Sequence, residues 1–448
     1  MRRVTERIVD VVYCIDTEGP LHEPLTATFE RLKQLFNIDL PADAGVLKEL
    51  QDQRRDLGGL EAQVARVVAP HVLSYNDTWE KIDAMLAEVL SPAFRRKRLD
   101  SFGGGLIYNW HCVDHVDYTA NPRRRDLGYN HVFDHYAALL RATGSTQDRI
   151  EFHYHPLPFS GAANHSGTHW LAHGDTLYQS LARRIIDKQW FPSVNRAGFH
   201  VERADSHWFL EQFIPFDYSN QAHEDYAANP ASSNHRFGDW SRAPQSWVPY
   251  HPAHDDYQAV GDCRRWVFRC LNVGTRLRLL TQAHVDQAFA EARDGKPAVL
   301  AFTNHDFRDV RPDIAHVSEM LDVAAKAYPE VQFRFSDAAS AARRAAGLTE
   351  NTPLRFEARV AGNVLDVEAD SATFGPQPFF ALRTRDGKYH ADNLDIVQPF
   401  RRWQYTFDEH TFALDAVDSI GLGACGKAGH TTTAVWRAGA GAFVQTYR

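Results

Sequence analysis

Short apolar segments alternate with amphipathic ones along most of the chain, and this alternation limits the possible folds more than any other feature. Residues 8–15 and 298–303 are nearly continuous apolar runs of the kind found in buried parallel strands. Segments with apolar residues at helical spacing follow, and strands alternating with helices form parallel sheets. Because no GxGxxG motif is present, the pattern predicts an irregular (β/α) barrel and not a doubly wound sheet. Further strands are predicted at residues 106–110, 150–155, 194–199 and 331–335.

The pattern changes twice along the chain, and each change predicts a boundary. Residues 25–95 show helical spacing without strands, which predicts a helical insertion into a barrel that occupies residues 1–348. Residues 349–448 contain short alternating segments separated by turns, such as LRFEARV and RWQYTF. This alternation predicts an antiparallel, β-sandwich-like accessory domain.

Composition excludes several classes of partner. The chain has 49 basic and 57 acidic residues, a net charge of −8, and thus no electrostatic reason to bind nucleic acid. No apolar run is long enough to predict a transmembrane segment, and the first 20 residues lack a signal sequence, so we expect a cytoplasmic protein. The five cysteines form no CxxC pair, which disfavours a structural zinc site or a disulfide framework. The sequence leaves oligomerisation open.

Histidines are concentrated in one part of the chain. Of the 23 histidines, 15 lie between His111 and His254. In a strand, His153 and His155 point to the same side, where two imidazoles can bind a Zn²⁺-like ion. Two other pairs compete for this role because their members are four residues apart, and two hydrogen-bonded histidines in a polar loop would give the same pattern. The competing pairs are His111 with His115 and His165 with His169.

Several polar residues follow predicted strands, where barrels of this type place their chemistry. Asp16 and Glu18 can share a cation or divide the roles of ligand and base. His305 can act as a general acid with its tautomer fixed by the adjacent Asp306. Arg196 can orient a carboxylate base or bind an anionic substrate group. Two aromatic residues, Trp247 and Tyr250, are candidates for a wall that stacks on a sugar ring, although aromatic residues more often fill a core or an interface.

The ordered motifs CIDTEGP, EFHYHP, NRAGFH and FTNHDF resemble those of the polysaccharide deacetylase superfamily, also called NodB-homology or carbohydrate esterase family 4-like. The segments NWHCVDHVDYTANPRRRDLGYNHVFDHY and WVPYHPAHDDY are similar to a WbmS-like branch associated with lipopolysaccharide O-antigen biosynthesis. The resemblance covers about residues 5–345 and implies an irregular (β/α) barrel with one divalent metal, expected to be Zn²⁺. The common family motif has two adjacent aspartates, whereas in this sequence Thr17 separates Asp16 from Glu18.

The resemblance implies roles for individual residues. Asp16 would be the base or a metal ligand, and His305 would be the acid. The implied metal ligands are Glu18, His153 and His155. Arg196 would orient the base. Apart from the resemblance, we expect Arg196, His200, Trp247 and Tyr250 to bind substrate.

Three functions follow from these observations. The first is metal-dependent N-deacetylation of an acetamido sugar in O-antigen or related polysaccharide biosynthesis. The second is a barrel that binds glycans without catalysis, and the third is a glycosidase that uses two carboxylates. We expect the first, with a carbohydrate as substrate.

Overall fold

The largest sheet of the protein is a closed parallel barrel. The computed structural model describes residues 6–163, 165–224, 238–274, 279–350 and 352–448. Its parallel strands are β1 (Ile8–Thr17), β2 (Tyr108–Cys112), β3 (Arg149–Tyr154), β4 (Val194–Ala197), β5 (Phe216–Asn220), β8 (Trp266–Asn272), β9 (Val299–His305) and β10 (Gln332–Phe335). A short antiparallel pair, β6 (Pro252–Ala253) and β7 (Asp256–Val260), lies between β5 and β8 in sequence.

Seven of these strands close the barrel, in the order β1-β2-β3-β4-β5-β8-β9, because β9 pairs again with β1. Strand β10 also pairs in parallel with the first half of β1. The predicted α/β barrel is therefore confirmed.

The helices of the described ranges cover the barrel and form the insertion. In chain order they are α1 (Leu25–Phe36), α2 (Ala44–Gln51), α3 (Glu61–Val67), α4 (Trp79–Val89), α5 (Pro92–Arg95), α6 (His131–Thr143), α7 (Gly174–Lys188), α8 (Ala204–Phe213), α9 (Gln282–Arg293), α10 (Arg311–Ala327) and α11 (Ala338–Ala345). Helices α1 to α5 occupy the region predicted as a helical insertion. Helices α1 to α3 bury a separate apolar cluster that includes Phe29, Leu50 and Val64. Among the described residues, no helix combines the length and apolar character needed to cross a bilayer.

Strand β1 shows how the sequence builds the barrel wall. Its residues alternate between two apolar clusters, since successive side chains of a strand point to opposite faces. Tyr13 and Ile15 belong to the large cluster shared with the helices, whereas Val12 and Cys14 pack with other strands and with α11. Asp16 is on the same face of β1 as Val12 and Cys14. Its carboxylate therefore follows their apolar side chains at the end of the strand.

The C-terminal region forms two antiparallel sheets. One contains β11 (Phe356–Ala361), β12 (Val364–Ala369), β16 (Arg402–Thr406) and β15 (Asp395–Gln398). The other contains β14 (Tyr389–Asp392), β13 (Phe379–Thr384), β17 (Val417–Cys425), β18 (Thr431–Arg437) and β19 (Val444–Tyr447). Both sheets contribute to one buried cluster, for example through Leu365, Trp403 and Ile420. The second sheet also packs on the barrel, because Phe379 joins the cluster of α7 residues such as Leu181.

Candidate metal centre

Polar side chains from four barrel strands meet at one end of the barrel. The strand register aligns Asp16 of β1 with His305 of β9, and His153 of β3 with Arg196 of β4. Parallel strands present their carboxyl ends at the same edge, which explains why residues far apart in sequence converge here.

Three side chains at this edge form a group suited to a metal ion. Their ligand atoms all lie within 4.8 Å of one another, and all three residues are buried. Oε1 of Glu18 lies 3.4 Å from Nε2 of His155 and 3.8 Å from Nε2 of His153. The two Nε2 atoms are 3.0 Å apart. The structure therefore brings together Glu18, His153 and His155, the residues predicted as ligands.

Hydrogen bonding fixes the tautomer of one of these imidazoles. Nδ1 of His153 lies 2.6 Å from the backbone carbonyl oxygen of Arg196. A carbonyl oxygen only accepts, so Nδ1 carries a proton, and Nε2 is the nitrogen left to bind a cation through its lone pair when the ring is neutral. Burial lowers the pKa of His155, which favours the neutral form of this ring. Two neutral imidazoles and one carboxylate are a ligand set that Zn²⁺ accepts, so the residues present fit the metal.

Glu18 is held in place through its other polar atoms. Oε2 pairs with Nη2 of Arg125 at 2.6 Å, and both side chains are buried. The backbone N–H of Glu18 donates to Oδ1 of Asp306 at 2.9 Å, and its carbonyl oxygen lies 3.1 Å from Nε2 of His115. Burial opposes the ionisation of Glu18, but Arg125 and the two imidazoles outweigh it and hold its pKa well below the ordinary value.

Asp16 forms a buried ion pair beside the ligand group. Nε of Arg196 donates to Oδ1 of Asp16 at 2.6 Å, and Nη1 donates to the carbonyl oxygen of Tyr218 at 2.9 Å. Burial opposes ionisation of Asp16, but Arg196 and the neighbouring imidazoles prevail and lower its pKa. Arg196 thus orients a charged carboxylate, one of the two roles predicted for it.

His305 completes the cluster, although Asp306 does not orient it. Nε2 of His305 lies 3.7 Å from Oδ2 of Asp16 and 3.7 Å from Oε1 of Glu18. Its Nδ1 has no hydrogen-bond partner among the described residues. The expected contact with Asp306 is absent because that carboxylate instead accepts bonds from the backbone N–H groups of Glu18 and Gly19. Burial lowers the pKa of His305 to about 4, so the ring is neutral at rest.

The segment after β4 is strained next to the cluster. Phe199 and His200 both have positive φ angles, 53° and 56°, which are costly for residues other than glycine. A Cβ on Gly198 would lie 2.1 Å from Cδ2 of His155, so glycine is required for this close approach. Nδ1 of His200 lies 3.1 Å from Nη2 of Arg196, which places this predicted substrate-binding residue beside the ion pair.

The competing histidine pairs do not converge. His111 is buried in β2 with Nδ1 3.3 Å from the carbonyl oxygen of Phe152, whereas His115 faces the carbonyl oxygen of Glu18. His169 is more than half exposed and faces Asp205 at 3.3 Å, and His165 contacts Gln34. None of the four belongs to the ligand group.

The two aromatic candidates lie outside the cluster. Trp247 is 1% exposed in the main core, and its indole N–H donates to the carbonyl oxygen of His284. Tyr250 is buried in a small cluster with Trp240, and its hydroxyl donates to the carbonyl oxygen of Tyr257. Neither ring offers a free face for stacking on a sugar, which corrects their predicted role.

Sequence reasoning missed the residues that hold Glu18. Arg125 lies in a basic loop after β2, and its position in NPRRRD was the one available signal. Asn121 fixes this loop, because its side chain bonds the backbone N–H and carbonyl of Arg125, each at 2.8 Å.

A second group of three ligand-type residues lies elsewhere in the described part of the chain: His223, Glu224 and His284. Nε2 of His284 lies 2.8 Å from Oε2 of Glu224, whose side chain is 52% exposed.

Comparison with models of known protein families and with curated proteins gives no match.

Proposed function

We propose that this chain is a metal-dependent deacetylase of the polysaccharide deacetylase type, which removes the acetyl group from an acetamido sugar. The observation that supports the proposal is the convergence of a ligand group, a charged carboxylate and a neutral imidazole at one barrel edge. The two histidines and Glu18 would hold a divalent metal, with Zn²⁺ expected from the nitrogen ligands. A bound cation would supply Lewis acidity that polarises the acetamide carbonyl and acidifies a water molecule.

The protein side chains can move the one proton that the reaction needs. Asp16, kept ionised by Arg196, accepts a proton from the attacking water. His305 is neutral and lies 3.7 Å from Oδ2 of Asp16, so a small movement of the ring lets the proton pass to its Nε2. His305 then donates to the leaving nitrogen as the C–N bond breaks, giving a free amino sugar and acetic acid, which loses its proton to solvent and leaves as acetate.

The substrate class rests on the sequence motifs. The segment that begins in β2 and the segment that spans β6 resemble the branch that acts in O-antigen biosynthesis, which supports a lipopolysaccharide precursor as substrate. Such precursors are built in the cytoplasm before export, so we propose that the enzyme acts there.

Acetate release from acetamido sugars by the purified, zinc-loaded chain tests the proposal. We expect release that chelation abolishes and added zinc restores. His155→Ala should lose activity, whereas His169→Ala, the matched change in a competing pair, should retain it. Sugar binding without acetate release in the zinc-loaded protein would instead support a non-catalytic glycan-binding barrel.

A further inference from the structure

Three of the four polar atoms of Glu18 face groups from two separate segments, the end of β9 and the loop after β2. Its N–H donates to Asp306 at the end of β9, its carbonyl faces His115 after β2, and its Oε2 pairs with Arg125. Only Oε1 remains, and it faces the Nε2 atoms of three histidines at 3.4 to 3.8 Å.

The contact with Arg125 decides how Glu18 can bind a cation. A free carboxylate can present one or both oxygens to a metal. In this structure Nη2 of Arg125 lies 2.6 Å from Oε2 and both side chains are buried, so Oε2 faces the guanidinium in a close ion pair, although the contact lacks hydrogen-bond geometry. Asn121 holds the backbone of Arg125 from both sides, so the guanidinium is presented by an ordered loop.

We infer that Arg125 is a positioning residue that restricts Glu18 to binding the metal through Oε1 alone. This inference rests on the proposed metal site. Hydrogen-bonded partners of metal ligands orient those ligands, and their loss commonly lowers metal affinity by about 10- to 100-fold. Replacing Arg125 with a residue that cannot hold Oε2 should therefore weaken binding and allow both oxygens to reach the metal.

Metal titration of the full chain, first stripped by a chelator, tests this inference. For Arg125→Gln we expect Zn²⁺ affinity to fall about 10- to 100-fold. The Co²⁺-substituted variant should show weaker visible absorption than the Co²⁺-substituted wild type, because a second carboxylate oxygen raises the coordination number. Arg125→Lys keeps a charged donor and should recover part of both properties.

The neighbouring loop residue provides the matched control. Arg123 pairs with Glu23 at 3.3 Å and does not contact Glu18, so Arg123→Gln should leave affinity and spectrum unchanged. If Arg125→Gln does not fold, Arg125→Lys carries the test, and its affinity and spectrum should still differ from those of the wild type.

Two results would have different meanings. Wild-type affinity and spectrum in folded Arg125→Gln would overturn the positioning role while leaving the metal site intact. Absence of metal binding by the wild type would overturn the proposed function itself.

Discussion

The two groups of histidine and glutamate side chains look alike in composition but differ in where their protons lie. In the barrel group, Nδ1 of His153 faces a carbonyl oxygen, so the proton is on Nδ1 and Nε2 can bind a cation. In the second group, Nδ1 of His284 accepts the backbone N–H of Thr281 at 3.0 Å. Its proton is therefore on Nε2, where it is donated to Glu224.

This difference teaches that proximity alone does not identify a metal site. His284 sits in the first turn of α9, and its ring completes a capping box with Thr281, so its Nδ1 is occupied by the helix cap. In the barrel group, Nε2 of His153 instead faces Oε1 of Glu18 and Nε2 of His155, and all three side chains are buried. The backbone group that faces Nδ1 distinguishes the two sites, because it is a carbonyl oxygen for His153 and an N–H for His284.

The largest expected effect is on metal content. His153→Ala should lower Zn²⁺ affinity by more than about 100-fold, beyond the loss typical of residues that only support ligands. His284→Ala should leave the affinity unchanged, and elemental analysis of both variants after zinc loading measures this. Equal losses in the two variants would remove the distinction between the groups.

Asp16→Asn should separate catalysis from metal binding. Loss of a general base typically lowers the rate by about 100- to 10,000-fold, so we expect a fall in kcat in that range with zinc retained. Glu224→Gln in the second group should leave both unchanged. If zinc content of Asp16→Asn falls together with kcat, Asp16 is a ligand and not the base.

Acid should destabilise the protein at a buried histidine whose two ring nitrogens both have hydrogen-bond partners. His207 resembles His284, because its Nδ1 accepts from Arg265 at 2.9 Å, and burial lowers its pKa to about 4. As the pH falls from the ordinary histidine pKa of about 6.5 toward 4, the unfolded chain binds a proton that the folded chain does not, so stability is lost. We expect a smaller fall in Tm between neutral and acidic pH for His207→Gln.

The control for acid sensitivity is His410→Gln, because this side chain is 85% exposed. Its Tm should follow the wild-type pH dependence. If the Tm of His207→Gln falls with pH as steeply as the Tm of the wild type, the folded protein protonates this ring as readily as the unfolded chain does.

The smallest effect concerns the cap of α9. His284→Ala removes the acceptor of the Thr281 N–H and should lower the free energy of unfolding by about 1 kcal/mol. His284→Gln restores an acceptor at the usual capping-box position and should recover most of the loss. Urea unfolding measures both, and equal stability of Ala and Gln variants would contradict the capping role.

The barrel was predictable because its signal is local. The apolar run at residues 8–15 marks β1, which extends to Thr17, and the run at residues 298–303 marks β9, which ends at His305. The convergence of Asp16, His153 and His305 then follows from the shared edge of parallel strands.

The groups that position Glu18 make tertiary contacts, and the spacing of residues in the sequence does not predict such contacts. Arg125 reaches Glu18 from a loop more than a hundred residues along the chain, and Asp306 bonds the backbone of Glu18 across 288 residues. Trp247 misled the prediction because an aromatic residue gives the same sequence signal in a core as on a binding surface.

The central claim is that Glu18, His153 and His155 bind one metal ion. An anomalous-scattering map from crystals of zinc-loaded protein, recorded on both sides of the zinc absorption edge, tests this most directly. We predict one strong peak within bonding distance of Oε1 of Glu18 and both Nε2 atoms. A peak at His223, Glu224 and His284 instead, or none at the barrel group, would contradict the account.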